Sequence, residues 1–238
     1  MRTIKIFIAL LMFIGIGQTY ASNVENRPVS GFHAVDVFGS YDVYITQGNA
    51  EAVKVEAPGD IIKLVLTEVK NGTLRIYNKE NTNWRNIFNH HNIFNNKKVV
   101  VYVTVKNIDG ISLSGSGHVT FKDGLKTSNM RLQLSGSGNV QGKLTAKDLD
   151  AGISGSGSLK LSGSGENQNV HVSGSGNYSA RDFNSANVNV SVSGSGNAAV
   201  YVSNSLNAHV SGSGGIHYGG NPKNVSKSKS GSGSINHW

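Results

Sequence analysis

The sequence predicts an all-β protein whose C-terminal half is a parallel β-helix, a solenoid of stacked coils. The first observation is a tetrapeptide, Ser-Gly-Ser-Gly, that recurs at successive spacings of 21, 19, 19, 20, 18 and 19 residues. The second is the alternation of apolar and polar residues beside each copy, which is typical of strands with one buried face. The third is composition, because 30 glycines, 3 prolines and 37% apolar residues suit a thin fold with little core per residue.

The tetrapeptide predicts the corner of each coil. Glycine adopts positive φ without steric cost and lets backbones approach closely, and serine hydroxyls bond to nearby backbone. Asn139, Asn177 and Asn197 follow corners, which predicts a ladder of hydrogen-bonded amides. A further copy begins at Ser162, inside one of the regular intervals. The predicted structural corners are Ser114-Gly115, Ser135-Gly136, Ser154-Gly155, Ser173-Gly174, Ser193-Gly194, Ser211-Gly212 and Ser230-Gly231.

The length of the repeat favours a β-helix over other repeat folds. One repeat in extended conformation traces about 63 Å at ~3.3 Å per residue, a suitable perimeter for one coil, and successive coils lie ~4.8 Å apart. Because no repeat buries its apolar face alone, the repeats must stack. Propeller repeats are about twice as long. A flat antiparallel meander remains the alternative.

Residues 1–21 have the pattern of an export signal. Arg2 and Lys5 precede an apolar run at 6–16, and Ala21 offers a cleavage point. An uncleaved anchor is the alternative. We expect no transmembrane span after removal of the signal, and a location in the periplasm, on the outer surface or outside the cell. Because the chain has no cysteine, we expect neither a lipoprotein signal nor a disulfide.

Residues 22–108 lack the tetrapeptide but contain five predicted strands, at 32–38, 41–47, 52–57, 73–78 and 98–106. Asn71-Gly72 predicts a hairpin turn, whereas 61–69 fits either a strand or a short helix. Repeat arrays need atypical end segments that cover the core. We therefore expect 22–108 to form the first coils and the cap of one domain with the repeats at 109–238.

Several segments also match a known family. They are Arg27-Pro28-Val29, Tyr41-Asp42-Val43-Tyr44-Ile45, Val53-Lys54-Val55, Gly72-Thr73-Leu74-Arg75-Ile76, Val101-Tyr102-Val103-Thr104-Val105 and the corner that begins at Ser114. On these residues the chain resembles, over about 27–235, the head GIN domain family of exported bacterial β-helix proteins, described as auto-transporter adhesins. The resemblance implies a right-handed β-helix, export to the envelope or beyond, adhesin-like binding and no catalytic residues.

The residues give little support to catalysis or to a cofactor. Glycan cleavage needs clustered acids, and Asp148 and Asp150 form the sole close pair among the acids after residue 108, where a solvated turn explains them. Calcium-binding repeats place Asp after the corner, where this chain has Asn, His, Ser or Gly. His90 and His91 point to opposite faces if they lie on a strand, which disfavours a metal site. The net charge of +8 is scattered and predicts no nucleic-acid partner.

Two surfaces are candidates for ligand binding. One is the long polar face of Asn, Ser and Thr along the coils. The other is the Asn-rich insertion at 81–96, whose possible contact residues are Trp84, Phe88, His90, His91 and Phe94. We expect a non-enzymatic envelope or surface protein that binds a glycan or another protein. The alternative is a structural or envelope-stress component that self-assembles, as a homo-oligomer, through open strand edges. A polysaccharide-cleaving enzyme is the third hypothesis.

Overall fold

The computed structural model describes residues 22–79 and 98–238. The predicted signal at 1–21 and the insertion at 81–96 therefore lie outside the described residues. The strands form one sheet of 16 strands, and a short 3₁₀ helix spans Gly59–Leu64. The strands are β1 (Ser22–Arg27), β2 (Ala34–Phe38), β3 (Asp42–Gln47), β4 (Ala52–Pro58), β5 (Val65–Lys70), β6 (Thr73–Asn78), β7 (Val100–Val105), β8 (Gly110–Gly115), β9 (His118–Gly136), β10 (Asn139–Gly155), β11 (Ser158–Gly174), β12 (Asn177–Gly194), β13 (Asn197–Gly212), β14 (Gly215–Gly219), β15 (Asn224–Ser230) and β16 (Ser234–His237).

The five long strands β9 to β13 each form most of one coil. Each pairs in parallel with the next over nearly its whole length, with serines of successive corners opposite one another. The predicted all-β parallel solenoid is confirmed, with about seven turns. The alternative of a flat antiparallel meander is wrong, because neighbouring repeats run parallel.

The corners lie in one column, each against the corner of the preceding coil. The first glycine has φ between +99° and +139° in all seven predicted corners. The Gly136 carbonyl oxygen accepts hydrogen bonds from the backbone N–H groups of Ser156 and Gly157, both at 3.0 Å. A Cβ on Gly155 would lie 2.5 Å from that oxygen. Glycine is therefore required both by φ and by the close approach of the two backbones.

The number of residues between successive corners varies because the extra residues are accommodated away from the corner. β9 spans Phe121 to Leu125 where β10 spans only Gly142 to Leu144, which explains why the first interval is two residues longer. The extra copy of the tetrapeptide, which begins at Ser162, lies at this region of β11 and not in the corner column. Between β12 and β13 the register shifts at two places, Ala180/Asn184 and Ser185/Asn187, and neither lies at the corner, which therefore keeps its geometry.

The interior of the coils is filled by stacked aliphatic side chains. Large and small residues alternate in one column, where Phe121 of β9 faces Gly142 of β10, and a Cβ on Gly142 would lie 2.1 Å from the Phe121 ring. Another column contains six aliphatic side chains that are at most 2% exposed. Its members are Leu113, Leu134, Ile153, Val172, Val192 and Val210.

A polar network lies within this apolar interior. The Gln168 Nε2 donates to the Tyr178 hydroxyl at 2.5 Å, and the Ser185 hydroxyl donates to Gln168 Oε1 at 2.9 Å. All three residues are buried. Burial raises the pKa of the Tyr178 phenol, against a smaller opposite effect of the Gln168 hydrogen bond. These hydrogen bonds pair buried polar groups that would cost free energy if they were left without partners in the apolar core.

At the N-terminal end, parallel coils give way to antiparallel strands. β2 pairs in parallel with β8, and β3 with β9, so both stack directly beneath the repeats. β1 and β4 are antiparallel to each other, as are β4 and β7, and β5 and β6 form a hairpin. Positive φ at Asn71 and Gly72 confirms the predicted hairpin turn. The ambiguous segment 61–69 divides between the 3₁₀ helix and β5.

Candidate functional site

A groove of about 690 Å³ crosses the five coils of β9 to β13 and reaches Asp109 in the coil before them. It lies where each coil turns into the strand segment that leads to the corner. Five coils give four spacings of ~4.8 Å, so the groove extends for roughly 19 Å along the solenoid axis. Amide and carboxylate side chains form two columns along it, and we call it the amide groove. The columns are Asn129, Asp148, Asn167, Asn187 and Asn204 or Ser205, and then Arg131, Asp150, Asn169, Asn189 and Asn207.

The first column is held in place by its own hydrogen bonds. Asn167 Nδ2 donates to Asp148 at 2.7 Å, and Asn187 Nδ2 donates to Asn167 Oδ1 at 3.0 Å. Asn204 continues the ladder by donating to Asn187 at 2.9 Å. An amide ladder was expected after the corner, but there Ser158 separates Asn139 from Asn177. The ladder therefore forms at the bend before the corner.

The second column is more exposed and changes in character along the axis. At one end Arg131 forms an ion pair with Asp150 at 3.1 Å. In the next coils Asn169 and Asn189 are exposed, with Asn189 Nδ2 donating to Asn169 Oδ1 at 3.2 Å. An amide has two donor hydrogens and two acceptor lone pairs, so these side chains retain hydrogen-bonding capacity that faces solvent.

The groove is suited to recognition of an extended polar chain. Its outward groups both donate and accept hydrogen bonds, which matches the hydroxyl groups of sugars or the backbone of a peptide. Asparagine occupies both columns in the coils of β11 and β12, so a ligand that runs along the axis meets similar amide contacts in these two successive coils. Carboxylates are confined to one end, near Arg131.

The residues singled out from the sequence fall in different places. Asp148 and Asp150 both line the amide groove, where one is bonded to Asn167 and the other to Arg131. Trp84, Phe88, His90, His91 and Phe94 lie outside the described residues. The structure brings the corner residues together in the column described above.

The sequence predicted a polar face of Asn, Ser and Thr along the coils as a candidate surface, but the residues of the amide groove were not identified, although a signal for them was present. Asn129, Asp148, Asn167 and Asn187 each stand six residues before the serine of the next corner. Arg131, Asp150, Asn169, Asn189 and Asn207 each stand four residues before it. Numbering each repeat from its corner would have revealed both columns.

Within 22–79 and 98–238, no group of three or more His, Asp or Glu side chains is placed to hold a metal ion. No helix in that part of the chain is long and apolar enough to cross a membrane.

A family model described as "Putative auto-transporter adhesin, head GIN domain" matches residues 31–222, and the chain belongs to this family. A crystal structure of a "putative adhesin" from Bacteroides fragilis is 28% identical, with a TM-score of 0.83, and covers 92% of this chain and 97% of that one. A "putative lipid binding protein" from Parabacteroides distasonis is 27% identical, with a TM-score of 0.67, and covers 91% and 96%. Among curated proteins there is no match. The adhesin family and the Bacteroides fragilis neighbour suggest a non-enzyme.

Proposed function

We propose that the protein is an exported, non-enzymatic adhesin that binds an extended glycan in the amide groove. The observation that carries the proposal is the pair of amide and carboxylate columns repeated over five coils. Membership of the adhesin family supports the binding role, and the pattern of residues 1–21 supports export. A glycan is favoured over a peptide because the groove offers side-chain amides and hydroxyls but no open strand edge for backbone pairing.

Because the Parabacteroides distasonis neighbour is called a putative lipid binding protein, a lipid is an alternative ligand. A lipid chain needs an apolar cavity, whereas the interior columns of the described coils are filled by Leu, Val, Ile and Phe side chains. The residues that line the amide groove are mainly polar, although carbon atoms make up much of its accessible surface. The filled interior favours a ligand bound on the surface over a lipid chain inserted into the coils.

A glycan array probed with residues 22–238 would identify ligands, and calorimetry would then measure their affinity. The informative variant is Asn169→Ala with Asn189→Ala, because both amides are exposed and face the groove. Each lost hydrogen bond costs about 0.5–1.5 kcal/mol, so the double variant should bind about tenfold more weakly.

The matched control is Asn177→Ala with Asn197→Ala. These asparagines also stack in adjacent coils and are exposed, but they lie on the other side of the corner. The control should keep the affinity of the parent chain. Equal affinity of the groove variant and the parent would remove the amide groove from the proposed function. Separately, detection of the native protein only in the cytoplasmic fraction would contradict export.

Self-assembly is the second candidate, and one observation favours it. All seven residues of β15 are exposed, and β13 is its sole partner among the described strands, so one edge is open to pairing. However, Lys227 and Lys229 occupy the register positions that Ala208 and Val210 fill in the coil below. Charges at such positions oppose stacking of another coil. Sedimentation should therefore show a monomer. A polymer that grows with protein concentration would instead favour self-assembly over glycan binding as the function.

A further inference from the structure

A second concave surface lies on the other side of the corner, on the strand segments that follow it. Two adjoining hollows of about 310 and 280 Å³ share Thr120, Gln141 and Lys160. The first is completed by Lys143 and Ser162. We call these five residues the basic patch. They come from three successive coils, because Thr120, Gln141 and Lys160 are direct neighbours in the parallel register.

The charge of the basic patch is opposite to that of the amide groove. Neither hollow has an acidic side chain in its lining, whereas Asp109, Asp148 and Asp150 line the amide groove. Lys143 and Lys160 are exposed, and neither has a carboxylate partner among the described residues. The histidine at the edge, His118, already contacts Asp42 at 3.3 Å. The two lysines are therefore cations without a counter-ion among the described residues. The neutral side chains of Thr120, Gln141 and Ser162 lie beside them.

The surface beside the patch continues in the same column of outward side chains. Below Thr120 stand Tyr44 and Tyr102, which are 40% and 36% exposed and stacked with ring centroids 5.6 Å apart. Lys54 Nζ lies 4.3 Å from the centroid of the Tyr102 ring. This arrangement extends the hydrogen-bonding surface by further coils, where the Glu56 carboxylate, hydrogen-bonded to Tyr102, accompanies the Lys54 cation. Tyrosine edges offer apolar contact to sugar rings.

We infer that the basic patch binds the carboxylate-bearing residues of an acidic glycan, a polyuronate. Lys143 and Lys160 pair with carboxylates of the ligand, while Gln141 and Ser162 bond to ring hydroxyls and the buried Thr120 forms part of the floor. A polyuronate is favoured over a membrane surface because the patch is concave and its two lysines lie on adjacent coils, two register positions apart, so that they can reach two carboxylates of one chain. This site is independent of the amide groove, so the protein has two glycan-binding faces of different charge preference.

Binding of a galacturonic acid oligomer to residues 22–238 at low ionic strength tests the inference. A neutral galactose oligomer of equal length, inorganic phosphate and vesicles containing phosphatidylglycerol are the comparison ligands. The test variant is Lys143→Gln with Lys160→Gln. The control is Lys126→Gln with Lys147→Gln, which makes the same change of charge at two exposed lysines of neighbouring coils that line neither hollow.

We expect the acidic oligomer to bind in preference to the neutral one, with affinity that falls as salt is added. The test variant should bind it about tenfold more weakly, because each exposed lysine–carboxylate pair contributes up to about fivefold. The control variant, and the Asn169→Ala, Asn189→Ala variant of the amide groove, should bind it as the parent does. Equal losses in the test and control variants, or binding of vesicles or phosphate without binding of the oligomer, would overturn the inference.

Discussion

Replacing Gly155 by alanine removes one corner of the solenoid without altering any side chain in the core. The backbone at Gly155 has φ of +119°, a region that L-residues occupy at a cost of about 1–3 kcal/mol. The added Cβ would also lie 2.5 Å from the Gly136 carbonyl oxygen. Two hydrogen bonds hold that oxygen in place, so it can move away from the new Cβ only if the whole corner moves. Overpacking of this kind costs about 1–3 kcal/mol.

The two costs together predict a loss of about 2–6 kcal/mol in the free energy of unfolding. Gly124→Ala is the matched control, because Gly124 has φ of +88° but a Cβ there would have no atom nearer than 3.7 Å. It should lose only the conformational part, about 1–3 kcal/mol. Urea unfolding followed by far-ultraviolet circular dichroism measures both losses, and failure of Gly155→Ala alone to fold is the extreme form of the expected result. Equal losses would refute the close contact between stacked corners.

Three further predictions concern the core and one carboxyl group. Gly142→Ala should lower the free energy of unfolding by about 1–3 kcal/mol, because the added Cβ meets the buried Phe121 ring. Adding Phe121→Leu should recover part of this loss. Urea unfolding measures both, and no loss in Gly142→Ala would contradict the packing of Gly142 against Phe121. Tyr178→Phe leaves the buried Gln168 amide without its acceptor and should cost about 1–3 kcal/mol, whereas exposed Tyr201→Phe should be neutral. Burial raises the pKa of Asp36 above 3.8, against a smaller lowering effect of Arg75. Its charged form therefore destabilises the fold above the raised pKa, so Asp36→Asn should increase stability at pH 7, with no gain below pH 3.8.

The sequence was most informative where one local rule repeats. Alternating apolar residues and the fixed interval between Ser-Gly-Ser-Gly copies predicted the coils, because each coil must present the same face and the same bend to its neighbour. The turn at Asn71-Gly72 was predictable for a similar reason, since its conformation depends on those two residues.

The features that arise between coils were not predictable in the same way. The position of the amide ladder depends on which asparagines become neighbours, and Ser158 interrupts the column that had been expected to form it. The bond between Gln168 and Tyr178 joins residues from different coils, and a glutamine alone gives no sign that it points inward. Both candidate binding surfaces likewise combine residues from at least three coils.

A crystal structure of residues 22–238 with a glycan selected on the array tests the central claim most directly. We expect the sugar chain to lie along the solenoid axis, with its hydroxyl groups bonded to Asn169 and Asn189 in adjacent coils. A glycan bound across the end of the coil stack, or held by residues 80–97 without contact to either asparagine, would contradict the assignment of the amide groove as the binding site.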